Sequence, residues 1–155
     1  VMSGLKRKSW GDVIGSSAVL ALAQLNNEKA FNALKKLTKY GYPARIRELA
    51  AKSLGSAGKG KPEVVDLLLG LTYDKYVMVQ LNAVATLGEL GDERAIKRLK
   101  EITEGHYESR VKRTALESIK KIQPWIETDL KTSDLTEKIE ELKMENAEIR
   151  KKAKK

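Results

Sequence analysis

Cysteine is absent from the 155 residues. That excludes disulfides and thiol catalysis, and it is neutral to weakly favourable for a cytoplasmic home, which is the expected location. Histidine occurs once, at His106. A ligand or general base needs partners in reach, and His106, just after Gly105 on an expected turn, reads as a solvated loop residue. Aromatics make up only 5%. No apolar run approaches the roughly 20 residues that span a bilayer, and no signal peptide is visible. Gly58-Lys59-Gly60-Lys61 lacks the preceding strand and the spacing of a phosphate loop, so it reads as a basic turn. The acids of the tail, Glu140 and Glu141 among them, alternate with lysines as the flank of a solvated helix does. No cofactor or metal is expected.

What the chain does have is a repeat. Ala18, Ala50, Ala83 and Ala115 are spaced by 32, 33 and 32 residues. Four positions before each stands Ile14, Ile46, Val79 or Val111. Four positions after stands Leu22, Leu54, Leu87 or Ile119, and three further on Leu25, Ala57, Leu90 or Ile122. These offsets share one helical face. The alanine at the centre of that face is small because two helices approach closely there. A second apolar set follows the first three copies: Phe31-Leu34-Leu37, Val65-Leu68-Leu71 and Ile96-Leu99-Ile102. The unit is therefore helix, turn, helix. One such pair cannot bury its own apolar face, so the pairs stack into an array.

The turn residues set the boundaries. Ser9 and Asp12 are placed as a near capping box for a first helix over about 10–25. Gly15, Ser16 and Ser17 make that helix poor by propensity, so a neighbour should pack close against them. Gly41 and Pro43 stop one helix and start the next, and Pro62 opens another. Pro124 should end or kink the last helix of the array, with Trp125 and Ile126 capping its open end. These signals give a lead-in over 1–8, an all-α helical-hairpin solenoid of about three and a half repeats over 9–127, a polar linker over 128–133 and a C-terminal helix over 134–155. In that tail Leu135, Ile139, Leu142, Asn146 and Ile149 step by four and three, a heptad seam with Asn146 at an a-type position, where a lone Asn favours a parallel dimer. The tail either pairs with another copy or lies against the array.

The formal net charge is +9. Residues 1–132 carry 23 Lys and Arg against 15 Asp and Glu, so the excess sits on the array. Arg45, Arg47, Arg110, Lys112 and Arg113 recur before the repeat alanines. They are candidates for a basic ladder on a concave face, gripping a carboxylate or phosphate. The alternative is that they pair with turn acids such as Asp74 and Glu108. A second candidate surface is Met78, Leu81 and Ala85, an apolar stripe where another copy has Arg45, Glu48 and Lys52. Either an external protein or the chain's own tail covers it.

At Leu87-Gly88-Glu89-Leu90-Gly91-Asp92-Glu93-Arg94-Ala95-Ile96 the chain resembles the HEAT-repeat family over roughly residues 9–122. It resembles something narrower at Ser9-Trp10-Gly11-Asp12-Val13-Ile14, at Tyr40-Gly41-Tyr42-Pro43-Ala44-Arg45, at Asp74 before Val79, at Ser109-Arg110-Val111-Lys112-Arg113 and in the charged tail. These look like the C-terminal helical region of M1-family zinc aminopeptidases. That family's zinc motif is H-E-x-x-H with a downstream Glu, and a chain with one histidine does not carry it. The resemblance implies a non-catalytic domain that closes over a catalytic domain and helps shape substrate access. The chain also begins almost directly in a repeat, as a piece of a longer protein would. The expected partner is thus a protein, either the parent's catalytic domain or a separate one. Self-association through the tail is a further expectation, and a basic nucleic-acid-binding array is the third reading. No membrane is expected.

Overall fold

A computed structural model of the chain describes residues 13–25 and 27–152, with backbone alone for residues 125, 127, 129–131 and 147–152. Seven helices are present among them: α1 (Val13–Gln24), α2 (Glu28–Leu37), α3 (Ala44–Ala57), α4 (Pro62–Leu71), α5 (Val77–Leu90), α6 (Ala95–Gly105) and α7 (Ser109–Lys152). No strand occurs among the described residues. The chain divides into two compact units, residues 1–122 and 123–155. The first fourteen residues of α7 belong to the first unit and the rest to the second. The readings at Ser9, Trp10 and Asp12, and at the side chains of Trp125 and Ile149, lie outside the described residues.

In the first unit the helices form two layers. α3 packs between α1 and α5, while α2 packs on α1 and α3, and α4 on α3, α5 and α6. The first layer is held by the repeat alanines: Ala50, Ala83 and Ala115 are fully buried. Val79, Val111, Leu54 and Leu87 on the same faces are equally closed to solvent. Beside them the helices all but touch. A methyl group added to Gly55 would stand 2.6 Å from Thr86, and one added to Gly88 would stand 2.5 Å from Ser118 Oγ. Both glycines lie five residues after a repeat alanine, and Thr86 and Ser118 lie three after the next. Ser118 Oγ also donates a hydrogen bond to the Val84 carbonyl, 3.0 Å away. Gly15 makes the same kind of approach to Ile46, which accounts for the glycine but not for Ser16 or for Ser17, which is exposed.

Local chemistry starts and stops each element. The Asn27 side chain accepts the Ala30 N–H at 2.9 Å and caps α2. Pro62 occupies the first turn of α4, where its missing N–H costs nothing. α5 ends at Gly91, whose φ of 73° is left-handed and strains any residue with a Cβ. Two apolar positions depart from the repeat pattern. Ile14 is exposed and so is Leu25, whereas their counterparts Ile46, Val79, Val111 and Ile122 are buried.

The second unit corrects the boundary drawn at 128–133. Those residues are helical, and α7 runs through Pro124 without a break. A proline inside a helix removes one backbone bond and costs roughly 3 kcal/mol. The bond that is lost is the one to the Lys120 carbonyl, and the polar stretch that follows makes bonds of a different kind. The hydroxyls of Thr128, Thr132 and Thr136 donate to the carbonyls four residues back, of Pro124, Thr128 and Thr132, at 2.8, 2.8 and 2.9 Å. Such bonds lie alongside the backbone ladder and bend a helix rather than end it.

Two glycines inside helices should respond oppositely to alanine. Gly70 of α4 faces open space, so Gly70→Ala should stabilise by about 0.5–1 kcal/mol through propensity. Gly88→Ala should destabilise by about 1–3 kcal/mol through overpacking. Urea denaturation of both variants checks this, and equal effects would contradict the close approach of α5 and α7.

Candidate functional site

The turns between repeats carry the polar chemistry, beginning with Arg47 in α3. It stands three residues before Ala50, on the face toward the following repeat. Only 2% of it is exposed. Its Nη2 donates to Asp74 Oδ1 at 2.9 Å, and its Nη1 to the Tyr42 carbonyl at 3.3 Å. Asp74 Oδ1 also accepts the Tyr76 N–H at 2.9 Å, which fixes the turn into α5. Arg47 Nε and Asp74 Oδ2 are buried without a partner. The pair is therefore monodentate, and its Coulomb attraction must offset the desolvation of both ions.

The next turn repeats the slot with different chemistry. Gln80 occupies the position of Arg47, three before Ala83. Its amide nitrogen donates to the Asp74 carbonyl at 2.6 Å, which leaves its oxygen as the acceptor facing His106 Nε2 at 3.1 Å. The Glu108 N–H donates to His106 Nδ1 at 3.0 Å. These two bonds assign the neutral imidazole with its proton on Nε2. His106 is thus a half-buried member of the corner, bonded through both ring nitrogens, which corrects its reading as a solvated loop residue. The signal was there in the sequence: Asp74 and His106 stand nine residues before Ala83 and Ala115, and Arg47 and Gln80 three before Ala50 and Ala83.

The five cations of the expected basic ladder do not share one surface. Arg47 is interior and leaves the set. Arg45 is exposed at the start of α3 and paired with Glu48 at 2.8 Å. Arg110 bonds Glu108 at 3.0 Å, and that bond holds the Glu108 carboxyl below its ordinary range. Lys112 donates to the Glu104 carbonyl at 3.1 Å, and Arg113 lies 3.8 Å from Glu117. All five stand on α3 and α7, in the layer of first helices rather than second ones. On α5, Met78 is 42% exposed, and Leu81 and Ala85 are half-buried beside it. In the second unit Leu135, Ile139 and Leu142 are each at least half exposed. Asn146 is exposed too, and its side-chain amide donates to the Leu142 carbonyl at 3.1 Å.

The opposite edge of the array, at the turns within repeats, is laced by ion pairs. Lys35 meets Glu63, and Lys61 meets Glu28. Arg94 holds Asp92 at 2.9 Å and reaches Asp66 at 3.2 Å. Its hydrogen bond lowers the titration of Asp92 below the usual carboxylate range. Among the described residues no three acidic, histidine or cysteine side chains gather where a metal would need them.

Stacked helical hairpins with small residues at their contacts and polar corners between them agree with the family comparison. The model of HEAT repeats matches residues 41–120, just over half of the chain. The chain belongs to the HEAT-repeat family. No curated protein matches it. Within the HEAT array the matched region starts in the first corner, at Gly41, and ends in the part of α7 that packs on α5.

Breaking the corner pair should be costly while replacing it should not. Asp74→Ala leaves the Arg47 charge buried and should lose about 3–5 kcal/mol. The double variant Arg47→Met, Asp74→Leu should recover most of that loss. Chemical denaturation of the single and double variants measures it, and a double variant no better than the single would contradict a burial cost dominated by the unpaired charge.

Proposed function

We propose that this HEAT array is a non-catalytic protein-interaction module, docking a partner through the α5 stripe of Met78, Leu81 and Ala85 with the exposed cations Arg45, Arg110 and Arg113 and the half-buried Lys112 around it. The observation that carries the reading is Met78. A large flexible apolar side chain is left open to water on the central helix of a rigid array, next to a half-buried leucine. Such a stripe gains by being covered. The seam of Leu135, Ile139, Leu142, Asn146 and Ile149 supports a second contact, self-association through the C-terminal helix. Its heptad spacing fits another helix of the same kind.

The finer reading places the module at the C-terminus of an M1-type zinc aminopeptidase, where it shapes access to the catalytic domain. It rests on the sequence phrases alone. Reading the coding sequence upstream of Val1 tests it: an in-frame H-E-x-x-H with a downstream Glu supports it, and an open reading frame without that motif contradicts it.

For the interaction itself, wild type and Met78→Lys serve as matched baits, with identified partners then purified and their Kd measured. Met78 is exposed, so the variant should keep its Tm. Partner affinity should fall by about tenfold or more, since a lysine would be forced into an apolar contact. Unchanged affinities would remove the α5 stripe as the docking surface.

A further inference from the structure

All five tyrosines of the chain, Tyr40, Tyr42, Tyr73, Tyr76 and Tyr107, lie in the turns between repeats. All are open to solvent, by 39% to 75%. In a protein with 5% aromatics this gathers every tyrosine at the turns between repeats. The rings are not loose. Tyr40 lies 4.6 Å and Tyr76 5.3 Å from the Arg47 guanidinium. Tyr73 stacks on Arg98 at 3.6 Å, and Tyr107 on His106 at 4.7 Å. The Tyr40 hydroxyl accepts the Lys75 N–H at 3.3 Å and so ties the first corner to the second. Rings held this way lose little freedom on binding.

Between those two corners is an open cleft of about 360 Å³, lined by Tyr40, Tyr42, Pro43, Arg47, Lys75 and Tyr76 among others. Its only charged lining groups are cations. Arg47 forms part of the wall, buried and with its Nε unpartnered. Lys75 has its ammonium 5.3 Å from the Tyr76 ring and no carboxylate within ion-pair distance among the described residues. The fourteen-residue helix α3 also starts here. It has no side-chain cap and no acid in its first turn, so its positive end is uncompensated. Cation, helix terminus and tyrosine rings converge on a space that holds one or two side chains.

We infer that this corner cleft is a docking site for a short acidic segment of a partner protein, one carboxylate meeting Lys75 and the start of α3 while its neighbours pack on the tyrosines. The inference rests on the protein-interaction reading above and adds a second contact to it, with a stated chemistry. The size of the cleft favours a peptide over a nucleic acid, which needs a groove that tracks its backbone.

The test is an NMR titration of the ¹⁵N-labelled chain with a capped tetraglutamate peptide. Amide shifts should concentrate at Gly41, Ala44, Lys75 and Tyr76. Lys75→Glu should weaken binding by about tenfold or more, and Lys59→Glu, an exposed lysine of a different turn, should leave it unchanged. Shifts spread over lysines everywhere, equal losses in both variants, or stronger binding at the same amides by a short oligothymidylate would each overturn the inference. A partner captured through Met78 separates the two proposals. If it binds Lys75→Glu as it binds wild type, the cleft is dispensable and the interaction module stands. If neither substitution weakens it, both proposals fall.

Discussion

The close approach of the first helices at small side chains sets everything else in this array. Ala50, Ala83 and Ala115 are closed to water, and Gly55 and Gly88 leave no room for a methyl group against Thr86 and Ser118. A contact this tight tolerates one register. That register puts the side chain three before one alanine opposite the corner residue nine before the next. Interiors packed to this density do not deform gradually, so the corners inherit the precision of the helices.

Those corners show how one slot accepts different chemistry. Arg47 and Asp74 fill it with a buried ion pair, and Gln80 and His106 fill it with a neutral hydrogen-bond chain. The ion pair desolvates two charges and leaves an atom of each unsatisfied, so its benefit to stability is small. Its consequence for the surface is larger. The guanidinium that Asp74 anchors is also the platform on which Tyr40 and Tyr76 rest. A device that fixes the spacing between repeats thereby fixes an exposed aromatic edge, and the exposed edge is where a partner can be met.

Much of this was legible in the residues. The alanine column gave the period, the two-layer packing and most of the core, because a buried small residue at a helix crossing leaves a spacing that no solvent-driven pattern mimics. Gly41, Pro62 and Gly91 marked turns through backbone chemistry that depends on few neighbours. Three things were hidden for physical reasons. Arg47 reads as a surface cation, since only its partner 27 residues away makes burial tolerable. His106 reads as a loop residue, since Gln80 becomes its partner only once the repeats stack. Pro124 reads as an end or a kink and residues 128–133 as a linker, because a proline followed by a polar stretch is weakly helical by propensity, whereas the helix continues through both. Among the surface candidates, the exposure of Met78 could be read from an apolar side chain out of step with its repeat, whereas the burial of Arg47 could not be read from its charge.

The central claim is that stacking makes the corners rigid although they lie in exposed turns. Native-state hydrogen exchange at the Tyr76 and Glu108 amides tests it most directly, since each donates to a side chain of its own corner. The account predicts that both exchange slowly, and that Asp74→Asn accelerates Tyr76 more than it does the core of α5. Exchange at the rate of an unstructured turn in the wild type would contradict it, and would leave the tyrosine edge without the order on which its binding role depends.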